Sequence, residues 1–205
     1  MSDHILLLPR SHHDPVAWAT LVAKQKALRL QSLLTSPASF SSTYERESAF
    51  SESDWVSRLQ NPLAYSYIAR RGLQPAPSTN HVRTPEEVLQ TFLNSEWVGS
   101  ATLYGPAITG DRSDDSVVMD IYGLFVLPEA RGSGLGNALL EGCVGHARDL
   151  GRDMKVHKVT VRVSVAHGNK KVLKLYEKVG FAEDRTKAEA GLGPGVTTLV
   201  KEMDV

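Results

Sequence analysis

Arg131, Gly132, Ser133, Gly134, Leu135 and Gly136 lie between an apolar run that stops at Pro128 and a helical pattern that begins at Leu135. Glycine tolerates positive φ and lets another group approach the backbone closely. The first turn of a helix carries unpaired N–H groups and the positive end of the helix dipole. An arginine, alternating glycines and a helix start together therefore suit a di-anionic phosphate group. Three phosphate-binding patterns compete for this segment. The P-loop needs a Gly-Lys pair, and none follows these glycines. The dinucleotide fingerprint Gly-x-Gly-x-x-Gly, counted from Gly132, meets Asn137 where its last glycine belongs. The third pattern, Arg/Gln-x-x-Gly-x-Gly/Ala, fits.

Further along runs Asn169-Lys170-Lys171-Val172-Leu173-Lys174-Leu175-Tyr176-Glu177-Lys178-Val179-Gly180-Phe181. Val172, Leu175 and Val179 share one helical face. Gly180 suits a helix C-terminus, and Phe181 opens the next strand. Asn169 offers a donor and an acceptor, and Tyr176 a phenolic donor at neutral pH. This stretch resembles motif B of the GNAT (GCN5-related N-acetyltransferase) superfamily, Asn-x-x-Ala-x-x-Leu-Tyr-Glu-Lys-x-Gly-Phe, with Val172 in place of the alanine. The glycine segment resembles motif A of the same superfamily. The likeness spans Trp97 to Met203, with motif A at about 117–150 and motif B at about 166–182.

The resemblance implies a single N-acetyltransferase domain over 1–205 with an α+β fold, an α/β/α sandwich. Its sheet has seven strands, mixed and mostly antiparallel, and splays between strands four and five. The co-substrate implied is acetyl-CoA, with no metal. Its pyrophosphate falls to Arg131, Gly132, Ser133, Gly134, Leu135 and Gly136. Its pantetheine lies along Leu124, Phe125 and Val126, where amides can pair with a splayed strand, and contacts Asn169. Tyr176 takes the place of the general acid for the departing thiolate. Asp120 stands where histone-type members carry a general-base glutamate; being shorter, it acts through water or else orients the substrate. A strand N–H near Phe125 or Val126 would serve the oxyanion. By period two, Tyr122 shares a face with Asp120. The acceptor expected is a primary amine on a small molecule or peptide. A non-catalytic acyl-CoA sensor, or a transferase for another acyl group, is the alternative. The expected state is a monomer or homodimer.

The chain has 205 residues, 41% of them hydrophobic, enough for a sizeable core. Its formal net charge of zero gives no electrostatic case for nucleic acid or an anionic membrane. No apolar run approaches membrane-spanning length. Met1-Ser2-Asp3-His4 lacks the basic start of a secretory signal, so the expectation is a soluble, cytoplasmic protein. The lone Cys143 excludes an intramolecular disulfide and reads as a small buried hydrophobe. His12 and His13 are too close in sequence to share one ion, and Asp14 is committed as a cap.

Several elements must position these residues. Strands are expected over Ile5–Leu8, Tyr65–Arg70, Trp97–Tyr104, Val117–Leu127 and Val156–Val165. Asp14-Pro15 starts a helix that runs to about Leu34, and a second covers Ser53–Leu59. A third runs from Leu135 to Leu150, with Gly151 as its stop. Residues 72–95 read as an insertion: a Pro/Ser/Asn-rich loop, then a helix opened by Thr84, Pro85 and a Glu87 capping box. Polar loops at 110–116 and 186–195 reach toward the acceptor side. The segment Phe40–Asp54 holds Tyr44, Glu45, Glu47, Glu52 and Asp54 against Arg46. It is either an acidic lid favouring a cationic amine or a solvated acidic surface.

Overall fold

The computed structural model describes residues 4–71, 84–106, 115–184 and 196–205. In chain order the elements are β1 (Ile5–Leu7), α1 (Pro15–Thr35), α2 (Tyr44–Ser48), α3 (Glu52–Gln60), β2 (Ala64–Arg71), α4 (Pro85–Asn94), β3 (Glu96–Tyr104), β4 (Ser116–Val126), α5 (Leu135–Met154), β5 (Lys158–Ala166), α6 (Lys170–Lys178), β6 (Ala182–Glu183) and β7 (Val196–Asp204). The seven strands form one sheet in the order β1-β2-β3-β4-β5-β7-β6. Every pairing is antiparallel except β4 with β5. This is the α+β fold expected.

Helices cover both faces. Tyr65, Leu103 and Ile121 are register partners on one face, and Tyr65 meets His146 of α5 there. Val159, Val161 and Val163 point the same way and are buried, as the alternation predicts. The other face receives α1 and its neighbours: Lys24 of α1 lies over the Trp97 ring, and Phe40 packs against Phe125.

Local signals explain most boundaries. Asp14 accepts from the N–H groups of Val16 and Ala17, with Pro15 in the first turn. Thr84 and Glu87 form the expected capping box on α4. Residues 72–83 of the insertion, and the loop residues 110–114 and 186–195, lie outside the described residues.

Three features differ from the expectations. Helix α5 does not stop at Gly151; it continues to Met154, and Lys155 ends it with φ 57°. A Cβ on Gly151 would stand 2.3 Å from Val159 Cγ2, so this glycine serves close helix–sheet packing. Helix α2 was not anticipated, because five residues are too few to show a period. The acidic segment is also largely structural. Glu47 is buried, accepting from Arg29 Nε (2.9 Å), Arg29 Nη2 (2.6 Å) and Arg58 Nη1 (3.0 Å). Asp54 closes a capping box with Ser51. Glu45 and Glu52 remain exposed.

Candidate active site

Strands β4 and β5 pair from Ser116–Lys158 to Asp120–Arg162, and pairing ends there. Both strands continue, β4 for six residues and β5 for four, so the sheet opens into a fork beyond Asp120. On its other edge β4 stays paired with β3, through an irregularity: Thr102 faces Tyr122, but Ser100 faces Phe125. The extra residue is a β-bulge at Gly123–Leu124, and Gly123 has φ 65°. The bulge puts Tyr122 and Phe125 on the same face.

Pleat parity then decides which groups look into the fork. Leu127 N–H donates to Val98 of β3 (2.8 Å), so the N–H and C=O of Val126 point away from β3, into the fork. Arg131 Nε donates to that Val126 carbonyl (2.9 Å), its Nη2 reaches Ser36 Oγ (3.3 Å), and its guanidinium lies 5.9 Å from the Phe125 ring centre. Arg131 thus ties the bulge to the end of α1 while leaving three N–H donors.

The glycine segment bends as its composition predicts. Gly132 and Gly134 have φ 82° and 84°, with open space where a Cβ would stand. Gly134 caps α5 without a side-chain hydrogen bond, so it leaves the first-turn N–H groups without a capping side chain. Ser133 Oγ turns inward to the Ala130 carbonyl (2.6 Å). Gly136 faces α6: a Cβ there would sit 3.4 Å from Leu175 Cδ2, in ordinary contact. Asn137 Oδ1, in the same turn, is buried and has no hydrogen-bond partner among the described residues.

Helix α6 delivers Tyr176. The ring is buried against Phe181 (5.4 Å between centroids). Burial pushes its phenol well above the ordinary value of 10, with Cys143 adding to the rise. Asn169 caps the helix, accepting from Val172 N–H (3.3 Å). Cys143 itself is fully buried, and burial raises its thiol too.

Asp120 faces the opposite side of the sheet. Its two carboxylate oxygens accept from Arg162 Nε and Nη2, each at 2.9 Å. Tyr122 stands beside it, half exposed, with its ring 6.0 Å from Tyr104. Burial and then the Asp120 charge raise the Tyr122 phenol. Among the described residues, no hydrogen bond or ring contact joins Tyr176 to Asp120; the fork lies between them.

A profile of the acetyltransferase (GNAT) family matches residues 40–181. The chain belongs to the GNAT family. Solved structures agree on the fold. The GNAT domain of S. lividans PAT aligns with a TM-score of 0.58 at 15% identity, over 98% of this chain and 89% of that one. A GNAT acetyltransferase from Streptococcus pneumoniae gives 0.55 at 16%, over 97% and 99%. Arabidopsis thaliana NAA60, solved with a bisubstrate analogue, gives 0.54 at 13%, over 98% and 99%. No curated protein matches significantly.

Within this GNAT fold, two glycines that the sequence reading passed over shape the site. Gly123 makes the bulge, and an isolated glycine inside a strand pattern is its signal. Gly99 of β3 lies beneath the bulge: a Cβ there would meet the Phe125 carbonyl oxygen at 2.7 Å and Val126 Cγ2 at 3.2 Å. Because the nearest atom belongs to backbone, Gly99→Ala must displace the bulge itself. We expect a loss of about 1–3 kcal/mol in stability with a fall in acetyl transfer, read by thermal unfolding and by steady-state rates. A variant equal to wild type in both would show that the bulge moves freely.

Proposed function

We propose that this chain is an N-acetyltransferase that moves the acetyl group of acetyl-CoA to a primary amine by direct attack. The observation that carries the reading is the fork with its bulge, flanked on one face by a buried phenol and on the other by a carboxylate.

The residues present fit the co-substrate. Backbone N–H groups of 132–137 suit its pyrophosphate, with Arg131 as a brace that keeps donors to spare. Leu124, Phe125 and Val126 edge the fork as an open strand suited to pantetheine amides. The Asn169 amide and the orphaned Asn137 Oδ1 supply polar contacts nearby. Acetyl-CoA supplies the acyl carbon and the sulfur leaving group.

The chain's own groups divide the work. The Val126 N–H, directed into the fork, is the donor for negative charge on the acyl oxygen. Tyr176 stays protonated through neutral pH and donates to the departing sulfur from the α5 and α6 side. Asp120 sits on the acceptor side. With both oxygens already accepting from Arg162, it takes the amine proton through water, on the lone pairs left over. The amine nitrogen bonds to the acyl carbon, the carbon–sulfur bond breaks, and one proton passes in net from nitrogen to sulfur. The acceptor must arrive neutral, since a lysine-like amine has a pKa of about 10.4.

Steady-state assays with a panel of small amines and peptide amines, following the free thiol of CoA, test this. Turnover with at least one amine is expected. Tight CoA binding with no turnover on any amine would turn the reading toward a non-catalytic acyl-CoA sensor.

A further inference from the structure

We propose that Arg162 is a positioning residue for this reaction, and that its ion pair with Asp120 is the lock at the crotch of the fork. The proposal rests on the acetyltransferase reading above.

Asp120 and Arg162 are register partners, and theirs is the last pair before β4 and β5 part. The guanidinium meets the carboxylate through two parallel bonds of 2.9 Å. Such a fork-to-fork contact fixes direction as well as distance. Both side chains are partly covered, at 31% exposure for Arg162 and 20% for Asp120. The same face carries the lock sideways. Tyr104, the partner of Asp120 on β3, packs its ring on Tyr122, which shares that face with Asp120. One line of side chains therefore staples β3, β4 and β5 at the point where the backbone ladder gives out. Asp184, just after β6, adds a second negative charge acting on Arg162.

Parallel strands that stop pairing have no backbone bond to fix the angle at which they separate. A planar bidentate contact at the last rung supplies that constraint. It also leaves the Asp120 carboxylate one orientation, on the face it shares with Tyr122. Arg162 touches neither reactant; it acts through Asp120.

The test compares wild type with Arg162→Gln, Arg162→Lys and the charge swap Asp120→Arg/Arg162→Asp. In Arg162→Gln, kcat should fall by about 10- to 100-fold, the scale of a small misplacement at a reacting centre. The KM for acetyl-CoA should change less than kcat, because the glycine cradle lies beyond the fork, after the end of β4. Arg162→Lys keeps the charge but loses the planar fork, and should recover only part of kcat. The swap should restore thermal stability without restoring kcat, since it moves the carboxylate to the wrong strand. An unchanged kcat in Arg162→Gln, or full recovery of kcat in Arg162→Lys or in the swap, would overturn the proposal. Should Arg162→Gln fail to fold, Arg162→Lys and the swap decide alone. A wild type that turns over no amine would defeat the acetyltransferase reading instead.

Discussion

Tyr176→Phe is expected to lower kcat by about 10²-fold or more, the usual contribution of a positioned general acid. The KM for acetyl-CoA should barely change, because the ring stays and only the oxygen is lost. The environment argues for this split. Burial raises the phenol, so wild-type Tyr176 remains a donor at neutral and mildly alkaline pH. An alkaline decline in rate below pH 10 therefore belongs to another group, and Tyr176→Phe should keep the shape of the pH profile while lowering its height. Fold is not at stake, since phenylalanine preserves the contact with Phe181. Equal kcat in the two proteins would remove Tyr176 from the mechanism.

The second large effect concerns stability. Glu47 ties three helices: it belongs to α2 and accepts from Arg29 of α1 and Arg58 of α3. Glu47→Ala removes a carboxylate with 3% side-chain exposure and leaves two guanidinium groups facing each other. Breaking a buried pair in this way costs about 3–5 kcal/mol. Arg58, at 39% exposure, can recover water, which favours the lower end of that range. Chemical denaturation of the variant reads the loss directly. Its pH dependence carries a sign. Burial pushes the Glu47 carboxyl up, but Arg29, Ser42 and Arg58 together bring it below the ordinary 4.5. The stabilisation is then fully present above pH 4.5 and fades as pH falls through the lower folded value. Glu47→Gln should be less stable than wild type at neutral pH, with the gap narrowing in acid. A constant gap would mean that charge is not what Glu47 contributes.

The glycine turn and the stretch that forms α6 were legible in the chain because their signals are local. Pro128, the glycines at 132 and 134 and the periodicity after Leu135 act within a few residues of one another, and the positive φ values follow. Asn169, Tyr176 and Gly180 belong to the same kind of compact pattern. The contact that holds Asp120 was hidden because it is assembled across strands. Asp120 and Arg162 are 42 residues apart, and nothing local in either strand announces the other. Gly99 is similar: its reason for being glycine is a carbonyl that arrives from β4. Gly151 misled for the same cause, reading as a helix stop when its lack of a side chain serves contact with Val159. The acidic run at 44–54 reads as a lid or a solvated surface because the arginines that hold Glu47 come from α1 and α3.

The fork also makes the sheet two pieces welded along a short seam. Strands β1 to β4 form one slab, and β5, β7 and β6 form the other. Five register pairs join them, and α5, which touches strands of both, spans the join like a splint. A molecule seated in the fork would grip both slabs at once, so holding the ligand and holding the slabs together would draw on a single free energy. At a ligand concentration 100 times Kd that amounts to about 2.7 kcal/mol, a sizeable share of the stability of an ordinary domain. Such a protein would be most cohesive when loaded, and the supply of that ligand would set how firmly the seam is closed.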